Sequence, residues 1–261
     1  MKQKISIIIP AHNEEKRIDK TLEEYLKFFS NLKKEKILDF EIIVVLNACI
    51  DKTKEVAEKN KCKELRILEF KQGGKGFAVT QGFKDALTRK NDLIGFVDAD
   101  MATSPESFYD LIENIKEKDG IIASRGKKGA NANMNPIRRL THKGFNFIIR
   151  SLFLMPYKDT QCGAKIFKKG VVESIIPGLS LTHWVFDVNL LHLCKKNKFK
   201  IKEHPTIWKN KSGSKISSIT RTSFQMFLGA IRLRILNSPF KDFVRLYDKI
   251  NKKRKNEIYK N

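Results

Sequence analysis

Residues 93–100 read LIGFVDAD, a short apolar run that ends in two aspartates, Asp98 and Asp100. The run Leu93–Val97 is typical of a strand buried on both faces, as in a parallel sheet. Ligands of open parallel sheets bind beyond the carboxyl ends of the strands, where this segment places its acids. Two carboxylates one residue apart suit a divalent cation bound together with phosphate oxygens, whereas the alternative is a turn cap at Asp98 and a solvated Asp100.

Strand-like and helix-like segments alternate on both sides of this run. Further strands are expected at Ile5–Ile9, Glu41–Leu46, Leu65–Phe70, Ile121–Ala123, Ala164–Phe167 and Lys200–Glu203. Helices are expected at Ile18–Phe29, Thr53–Asn60, Phe77–Thr88, Pro105–Ile115, Pro136–Leu154, Phe186–Lys196 and Ile219–Leu236. The alternation predicts an α/β fold with a mainly parallel twisted sheet and helices on both faces. The stretches Ser124–Asn135 and Lys209–Ser214 are expected to be loops, the first of them mobile.

Composition indicates a folded protein with anionic partners. The 261 residues include only 14 Gly and 7 Pro, and apolar residues recur regularly, which excludes disordered and collagen-like classes. With 52 Lys and Arg against 29 Asp and Glu, the formal charge is +23, which favours binding to nucleic acid, lipid headgroups or phosphorylated substrates. We expect one domain over residues 1–236 and a basic tail over residues 237–261.

The cysteines and the apolar segments indicate the cellular compartment in which the protein is expected. The four cysteines are scattered and have no zinc-ligand spacing, which indicates a reducing interior. No stretch approaches the roughly 18 apolar residues of a membrane-spanning helix. We therefore expect a cytoplasmic protein, peripherally associated with the cytoplasmic face of a membrane.

Two further loops follow predicted strands. Gln72–Gly76 is small and carries Lys75, so that its backbone amides and an ammonium group can approach a phosphate, although an ordinary Gly-rich turn is the alternative. It lacks the P-loop pattern, because Glu69 and Gly76 stand where that motif needs Gly and Ser or Thr. Pro10–Glu15 lies where backbone and side chains can grip a base or a ribose.

The second half of the chain adds motifs that narrow the assignment. They are Asp159-Thr160-Gln161-Cys162-Gly163-Ala164-Lys165-Ile166-Phe167, Trp184-Val185-Phe186-Asp187-Val188-Asn189-Leu190-Leu191, and Trp208 with Gly213-Ser214-Lys215. Together with the paired aspartates they resemble family 2 glycosyltransferases of the Rossmann-like GT-A fold, and within them dolichyl-phosphate β-glucosyltransferases and mannose synthases. The resemblance covers roughly Ile5 to Leu236. It implies an inverting, metal-dependent transfer of a hexose, with glucose favoured, from a nucleotide diphosphate sugar to a polyprenyl (dolichyl) phosphate.

The resemblance also implies roles for individual residues. Asp98 and Asp100 would hold Mg²⁺ or Mn²⁺ against the donor diphosphate. The nucleotide pocket would include Pro10, Ala11, Glu14, Asn47, Asp51 and Lys75. Lys215 would stabilise the departing nucleotide diphosphate. Candidates for gripping the acceptor phosphate are Arg125, Arg138 and Arg139, and Gln161 would either bind the sugar or satisfy buried backbone groups.

Two departures from the family pattern concern the donor. Many members carry an Asp-Asp pair where this chain has Leu46-Asn47. The Asn47 amide offers both a donor and an acceptor, so uracil is possible but less firmly implied than an Asp would make it. A UDP-sugar is the favoured donor. Mannose synthases often supply a polar side chain at the position of Ala102, so this residue favours the glucosyl branch, with water or phosphate completing the metal shell.

The chemistry of the acceptor supports the same assignment. A lipid phosphate is already anionic at pH 7, so it needs cations and positioning rather than a general base. A sugar hydroxyl would need a base, for which Asp187 is the best-placed candidate, although it is equally typical of an acid at a helix N-terminus.

Several alternatives remain open at this point. They are GDP-mannose-dependent synthesis of dolichyl-phosphate mannose, extension of a polysaccharide, a sugar nucleotidyltransferase and a basic nucleic-acid-binding protein. We expect no nucleic-acid partner, because the basic residues are spread along the chain without a recognised module. An anionic membrane surface is the expected docking partner, with insertion by Phe145, Phe147, Ile148, Leu152, Phe153 and Leu154 unless these are core residues.

Overall fold

A computed structural model describes residues 3–132, 136–179, 185–208, 219–239 and 242. Side chains are described for the same residues except 132, 136–138 and 219–225. Several predicted features lie outside the described residues: Lys215, the loop 209–214, the side chain of Arg138 and most of the tail 237–261.

Nine strands and eight helices are assigned within these residues. The strands are β1 (Lys4–Ala11), β2 (Asp39–Asn47), β3 (Leu65–Phe70), β4 (Leu93–Val97), β5 (Gly120–Ser124), β6 (Asn131–Ala132), β7 (Ala164–Lys168), β8 (Ile201–Pro205) and β9 (Ile207–Trp208). The helices are α1 (Ile18–Lys34), α2 (Thr53–Glu58), α3 (Lys75–Leu87), α4 (Pro105–Ile115), α5 (Pro136–Phe153), α6 (Lys169–Ile175), α7 (Phe186–Lys196) and α8 (Ile219–Leu236). The start of α4 follows from its capping chemistry, because Ser104 accepts a hydrogen bond from the Ser107 amide and Pro105 occupies the first turn.

Seven strands form one sheet in the order β3-β2-β1-β4-β7-β5-β8. The first four strands of this order run parallel, and β5 pairs parallel with β8. β7 runs antiparallel to both of its neighbours, β4 and β5. The predicted α/β fold with a mainly parallel sheet is therefore confirmed, with one antiparallel strand inside it.

Helices cover both faces of the sheet, as predicted. Alternate residues of β1 point to opposite faces, so that Ile7 packs in one core and Ile8 in the other. The core with Ile7 includes apolar residues of α1 and α4. The core with Ile8 includes residues of α3, α5, α6, α7 and α8. The carboxyl edge of the sheet lies between these two layers, which leaves it open for a site.

The structure corrects some sequence expectations. Part of the expected loop Ser124–Asn135 forms β6, which pairs with β9, another strand that the local sequence did not predict. Both strands have two residues, and their stability comes from pairing across about 75 residues of sequence rather than from composition. The helix α6 was also missed. Within the described ranges, no helix is both long and apolar enough to cross a membrane.

Candidate active site

The two aspartates of the LIGFVDAD segment lie at the carboxyl edge of the sheet, immediately after β4. Both are partly buried. The Asp100 carboxylate accepts a hydrogen bond from the Ala102 amide at 3.0 Å. Burial, followed by the negative charge of Asp98, raises the pKa of Asp100 above its ordinary value. The two acids therefore repel each other, and a cation between them would relieve that repulsion.

Lys75, the first residue of α3, supplies a positive charge at this edge. Its Nζ lies 2.7 Å from Asp98 Oδ1 and 3.7 Å from Asp187 Oδ2. Burial alone would lower the pKa of Lys75, but the carboxylates of Asp187 and Asp98 raise it above its ordinary value. The ammonium group also lies 5.4 Å from the centre of the Phe96 ring. Lys75 therefore places a cation beside the acids that were predicted to bind a metal.

Two glycines allow these groups to approach closely. A Cβ atom at Gly163, just before β7, would lie 1.8 Å from Asp98 Oδ2, so only glycine leaves room for this carboxylate. A Cβ atom at Gly76 would lie 2.8 Å from Phe186. Gly76 thus lets α7 pack against α3, which brings Asp187 next to Lys75.

Asp187 is held by a lysine that the sequence motif contained but that carried no predicted role. Lys165 in β7 is fully buried, and its Nζ donates to Asp187 Oδ1 at 2.5 Å and to the Cys162 carbonyl at 2.6 Å. Burial alone would raise the pKa of Asp187, but Lys165 and then Lys75 lower it below its ordinary value. Asp187 is therefore an anion between two lysines, an arrangement that favours a role in positioning over one as a general base.

A second ionic cluster surrounds Asp159, whose side chain is fully buried. Asp159 accepts from Arg125 Nε at 2.7 Å and from Arg125 Nη2 at 3.0 Å, and His142 Nε2 lies 3.0 Å from its Oδ1. The backbone amide of Gln161 donates to the same carboxylate at 3.2 Å. Burial alone would raise the pKa of Asp159, but Arg125, followed by His142, holds it well below its usual range. Arg125 also lies 5.5 Å from the Trp208 ring, so its guanidinium is largely occupied within the protein.

The predicted nucleotide loops meet at the same edge. Asn47 is buried, and with its amide oriented to satisfy both neighbours it donates to the Ala11 carbonyl at 2.8 Å and accepts from the Gly74 amide at 3.0 Å. It therefore joins β1, β2 and the Gly-rich turn, and its amide is already used internally rather than open to a base. Glu14 pairs with Arg17 at 2.6 Å, and Asp51 accepts from the Thr53 amide at 3.0 Å.

The residues present fit a divalent cation. Asp98 and Asp100 offer carboxylate oxygens, which Mg²⁺ and Mn²⁺ prefer. The Lys75 ammonium group, 2.7 Å from Asp98 Oδ1, already places one positive charge against this carboxylate. Over the described ranges, no group of three or more Asp, Glu, His or Cys side chains is placed to hold a metal ion. Oxygens of the substrate or of water can serve as further ligands of Mg²⁺.

Most of the predicted site residues converge on the carboxyl edge. Hydrogen bonds or ion pairs join Ala11 to Asn47, Lys75 to Asp98 and Asp187, and Arg125 to Asp159. Pro10 and Gln161 are partly buried, and Arg139 is exposed on α5. Sequence reasoning missed Lys165 and Asp159 as ionic partners. Their position inside the motif DTQCGAK (159–165) could have indicated this. Charged residues that are buried among apolar neighbours are almost always paired with an opposite charge.

The fold is that of GT-A glycosyltransferases, as two solved structures show. Glucosyl-3-phosphoglycerate synthase from Mycobacterium tuberculosis, crystallised with Mn²⁺ and UDP, matches with a TM-score of 0.66 and 16% sequence identity over 89% of this chain and 80% of that chain. Mannosyl-3-phosphoglycerate synthase from Rubrobacter xylanophilus matches with a TM-score of 0.66 and 16% identity over 91% of this chain and 76% of the other.

The profile of glycosyl transferase family 2 matches residues 6–176, and the chain belongs to that family. Its relatives include the dolichyl-phosphate beta-glucosyltransferase of Dictyostelium discoideum, which is 30% identical over 88% of this chain and 73% of the relative. The enzyme of the same name from Saccharomyces cerevisiae is 30% identical over 91% of this chain and 77% of the relative. The family resemblance drawn from the sequence motifs is thereby confirmed.

Proposed function

We propose that this protein transfers glucose, with inversion, from UDP-glucose to a polyprenyl phosphate of the dolichyl type in a reaction that needs Mg²⁺ or Mn²⁺. The names of the relatives given above support the sugar and the acceptor, since these enzymes align with this chain over most of its length. UDP as the carrier is supported by the solved structure that contains it. The observation that carries the proposal is the position of Asp98, Asp100 and Lys75 together at the carboxyl edge of the sheet. Two carboxylates for a metal and a cation beside them suit a nucleotide diphosphate.

The state of Asp187 supports an acceptor that is already anionic. Lys165 and Lys75 keep Asp187 ionised and stabilise that charge, which makes it a weak proton acceptor. A phosphate oxygen is charged at neutral pH and can attack the anomeric carbon without losing a proton. The carbon–oxygen bond to the acceptor then forms as the bond to the UDP oxygen breaks, and the UDP leaves with the electron pair.

Each residue of the edge has a role in this proposal. Asp98 and Asp100 would hold the metal, which offsets charge on the diphosphate. Pro10 and Ala11 would line the nucleotide pocket through their backbone, while Glu14 and Asp51 shape the neighbouring loops. The exposed Arg139 is available to the acceptor phosphate, whereas Arg125 would act mainly by fixing the loop after β5 through Asp159.

A transfer assay tests the proposal. The protein is incubated with Mn²⁺, a short polyprenyl phosphate and labelled UDP-glucose or GDP-mannose, and the label is extracted into organic solvent. We expect a labelled lipid from UDP-glucose, and none when the polyprenyl phosphate is replaced by the corresponding alcohol. Absence of a lipid product with either donor would refute the proposed activity, and a product from GDP-mannose alone would refute the assigned sugar.

We further propose that α5 brings the protein to an anionic membrane surface. Leu140 is 73% exposed, Phe147 70% and Leu154 77%, and their spacing of seven residues places them along one side of the helix and its end. Arg139, Lys143 and Arg150 are exposed on the same helix and suit anionic headgroups. The buried side chains of Phe145 and Phe153 belong to the core, which was the alternative to insertion.

Vesicle flotation tests this surface. We expect the protein to float with vesicles that contain anionic lipid, and Phe147→Asp to reduce the bound fraction severalfold. Ile37→Asp is the matched control, because Ile37 is also an exposed apolar residue, at 50%, but lies between α1 and β2. Equal binding of the Phe147→Asp variant and the wild type would remove α5 as the docking surface.

A further inference from the structure

Four charged side chains form a continuous line from the protein interior to the carboxyl edge. Starting inside, Lys165 contacts Asp187 at 2.5 Å, and Asp187 lies 3.7 Å from the Lys75 ammonium. Lys75 in turn contacts Asp98 at 2.7 Å. The charges alternate in sign along the line. Exposure rises along it, from a fully buried Lys165 side chain to an Asp98 side chain that is 40% exposed.

Lys75 has two carboxylates within reach, those of Asp98 and Asp187. Only Asp98 is expected to bind a metal ion. Its contact with Asp98 is the shorter and stands at the open end of the line. Asp187 has its own cation in Lys165 and is buried, so it is fixed in place. An ammonium group on a flexible four-carbon chain can move by the small distance that separates these two partners.

We propose that Lys75 is the resident counter-ion of Asp98, which a divalent cation displaces, and that Asp187, fixed by Lys165, retains the displaced ammonium beside the donor diphosphate. This inference rests on the proposed metal site at Asp98 and Asp100. In it, Lys165 and Asp187 are positioning residues. They act through Lys75, and they ensure that its positive charge stays at the edge when the metal takes Asp98.

Removing the Lys75 charge has opposite effects on two measurements. Without the ammonium, Asp98 loses the cation that pairs with it among the described residues, so metal alone is expected to bind more tightly. The donor diphosphate, however, loses a positive charge, so transfer is expected to fall. A residue that merely supported the fold would not tighten metal binding when replaced.

The test is titration of the full chain with Mn²⁺ in the absence of nucleotide, with free Mn²⁺ measured by electron paramagnetic resonance. We expect Lys75→Met to bind Mn²⁺ roughly fivefold more tightly than the wild type, and Lys75→Arg to leave the affinity near the wild-type value. Lys33→Met is the matched control for net charge, because Lys33 also sits in an ion pair, 2.8 Å from Asp39, but at the opposite edge of the sheet. This control is expected to leave the affinity unchanged.

The role of the inner pair is tested with Lys165→Met and Asp187→Asn combined, which removes a buried cation and anion together and leaves neither unpaired. This double replacement is expected to weaken Mn²⁺ binding in the wild-type background, since the displaced Lys75 loses its second partner. In the Lys75→Met background it is expected to have no effect. Equal effects in the two backgrounds would refute action through Lys75.

Asp100→Asn separates this inference from the function on which it rests. If Asp100→Asn binds Mn²⁺ as well as the wild type, the proposed metal site is wrong. If Asp100→Asn loses binding while Lys75→Met binds no more tightly than the wild type, the metal site stands and the displacement is refuted. Undetectable binding by both the wild type and Lys75→Met also contradicts the displacement, because the variant is expected to expose the site.

Discussion

Two aspartates on neighbouring parts of the sheet are held in contrasting ways. Asp159 is fully buried, Arg125 matches its charge inside the protein, and His142 Nε2 lies 3.0 Å from its carboxylate. Asp98 is 40% exposed at its side chain, and within the described part of the chain its ion-pair partner is the partly exposed Lys75. The comparison separates a carboxylate that holds the structure together from a carboxylate that is available to a ligand. The following experiments challenge this separation.

The largest effect on stability is expected from Asp159→Asn. It leaves the Arg125 guanidinium, whose side chain is only 10% exposed, without its carboxylate. Removing one partner of a buried pair lowers the free energy of unfolding by about 3–5 kcal/mol. Urea unfolding followed by circular dichroism measures the change. A loss below about 1 kcal/mol, the value typical of surface pairs, would contradict the structural role of Asp159.

Gly163→Ala is expected to act on Asp98 without comparable damage to the fold. The added methyl group would meet the Asp98 carboxylate, which can rotate toward solvent because it is partly exposed. Displacing a catalytic group by about 1 Å can reduce turnover by about 100-fold. Glycolipid synthesis and thermal unfolding are measured on the same preparation. Gly170→Ala is the control, since nothing lies within 4 Å of a Cβ at that position.

Acid is expected to lower the stabilisation that the buried carboxylates of Asp159 and Asp187 give to the fold. The pKa of Asp159 and the pKa of Asp187 are both lowered in the folded state, where Arg125 and Lys165 outweigh the effect of burial. Their stabilisation is therefore fully present above the unfolded pKa, near pH 4, and is lost as the pH falls through the folded values. Between pH 6 and pH 3, the difference in unfolding free energy between the wild type and Asp159→Asn is expected to shrink only once the pH falls below about 4. A difference that is constant over this range would contradict the lowered pKa of Asp159.

The smallest effect is expected at a pair whose carboxylate is exposed to solvent. His204 Nε2 lies 2.8 Å from Asp110, whose side chain is 49% exposed. Asp110→Asn is expected to change the free energy of unfolding by less than about 1 kcal/mol, because solvent screens such pairs. Urea unfolding of Asp110→Asn, measured in parallel with Asp159→Asn, shows how small the loss is for a solvent-exposed carboxylate. A loss as large as that of Asp159→Asn would remove burial as the factor that distinguishes the two pairs.

The local sequence predicted the parts of the fold that have a strong hydrophobic period. Leu93–Val97 forms β4 as expected, and Phe186–Lys196 forms α7 with the predicted bounds. The local sequence could not predict the antiparallel direction of β7 or the pairing of β6 with β9, because both depend on contacts between distant segments. Even so, the paired acids identified the edge at which the site lies.

The individual partners within the site could not be read from the sequence. Arg125 was expected to grip a phosphate, yet Asp159, 34 residues away in sequence, occupies its guanidinium. Asn47 was expected near the base, yet its buried amide links two backbone segments. Pairing between residues far apart in sequence leaves no local pattern, so charge and polarity alone do not distinguish ligand groups from structural ones.

The most direct test measures glycolipid synthesis from UDP-glucose and Mn²⁺ by Asp98→Asn, together with its urea unfolding. We expect turnover to fall by about 100-fold or more, as for the loss of a charge-stabilising group in a transition state, while the free energy of unfolding stays within about 1 kcal/mol of wild type. Turnover near the wild-type rate, or a loss of stability like that of Asp159→Asn, would contradict the assignment of Asp98 as the open carboxylate of the site.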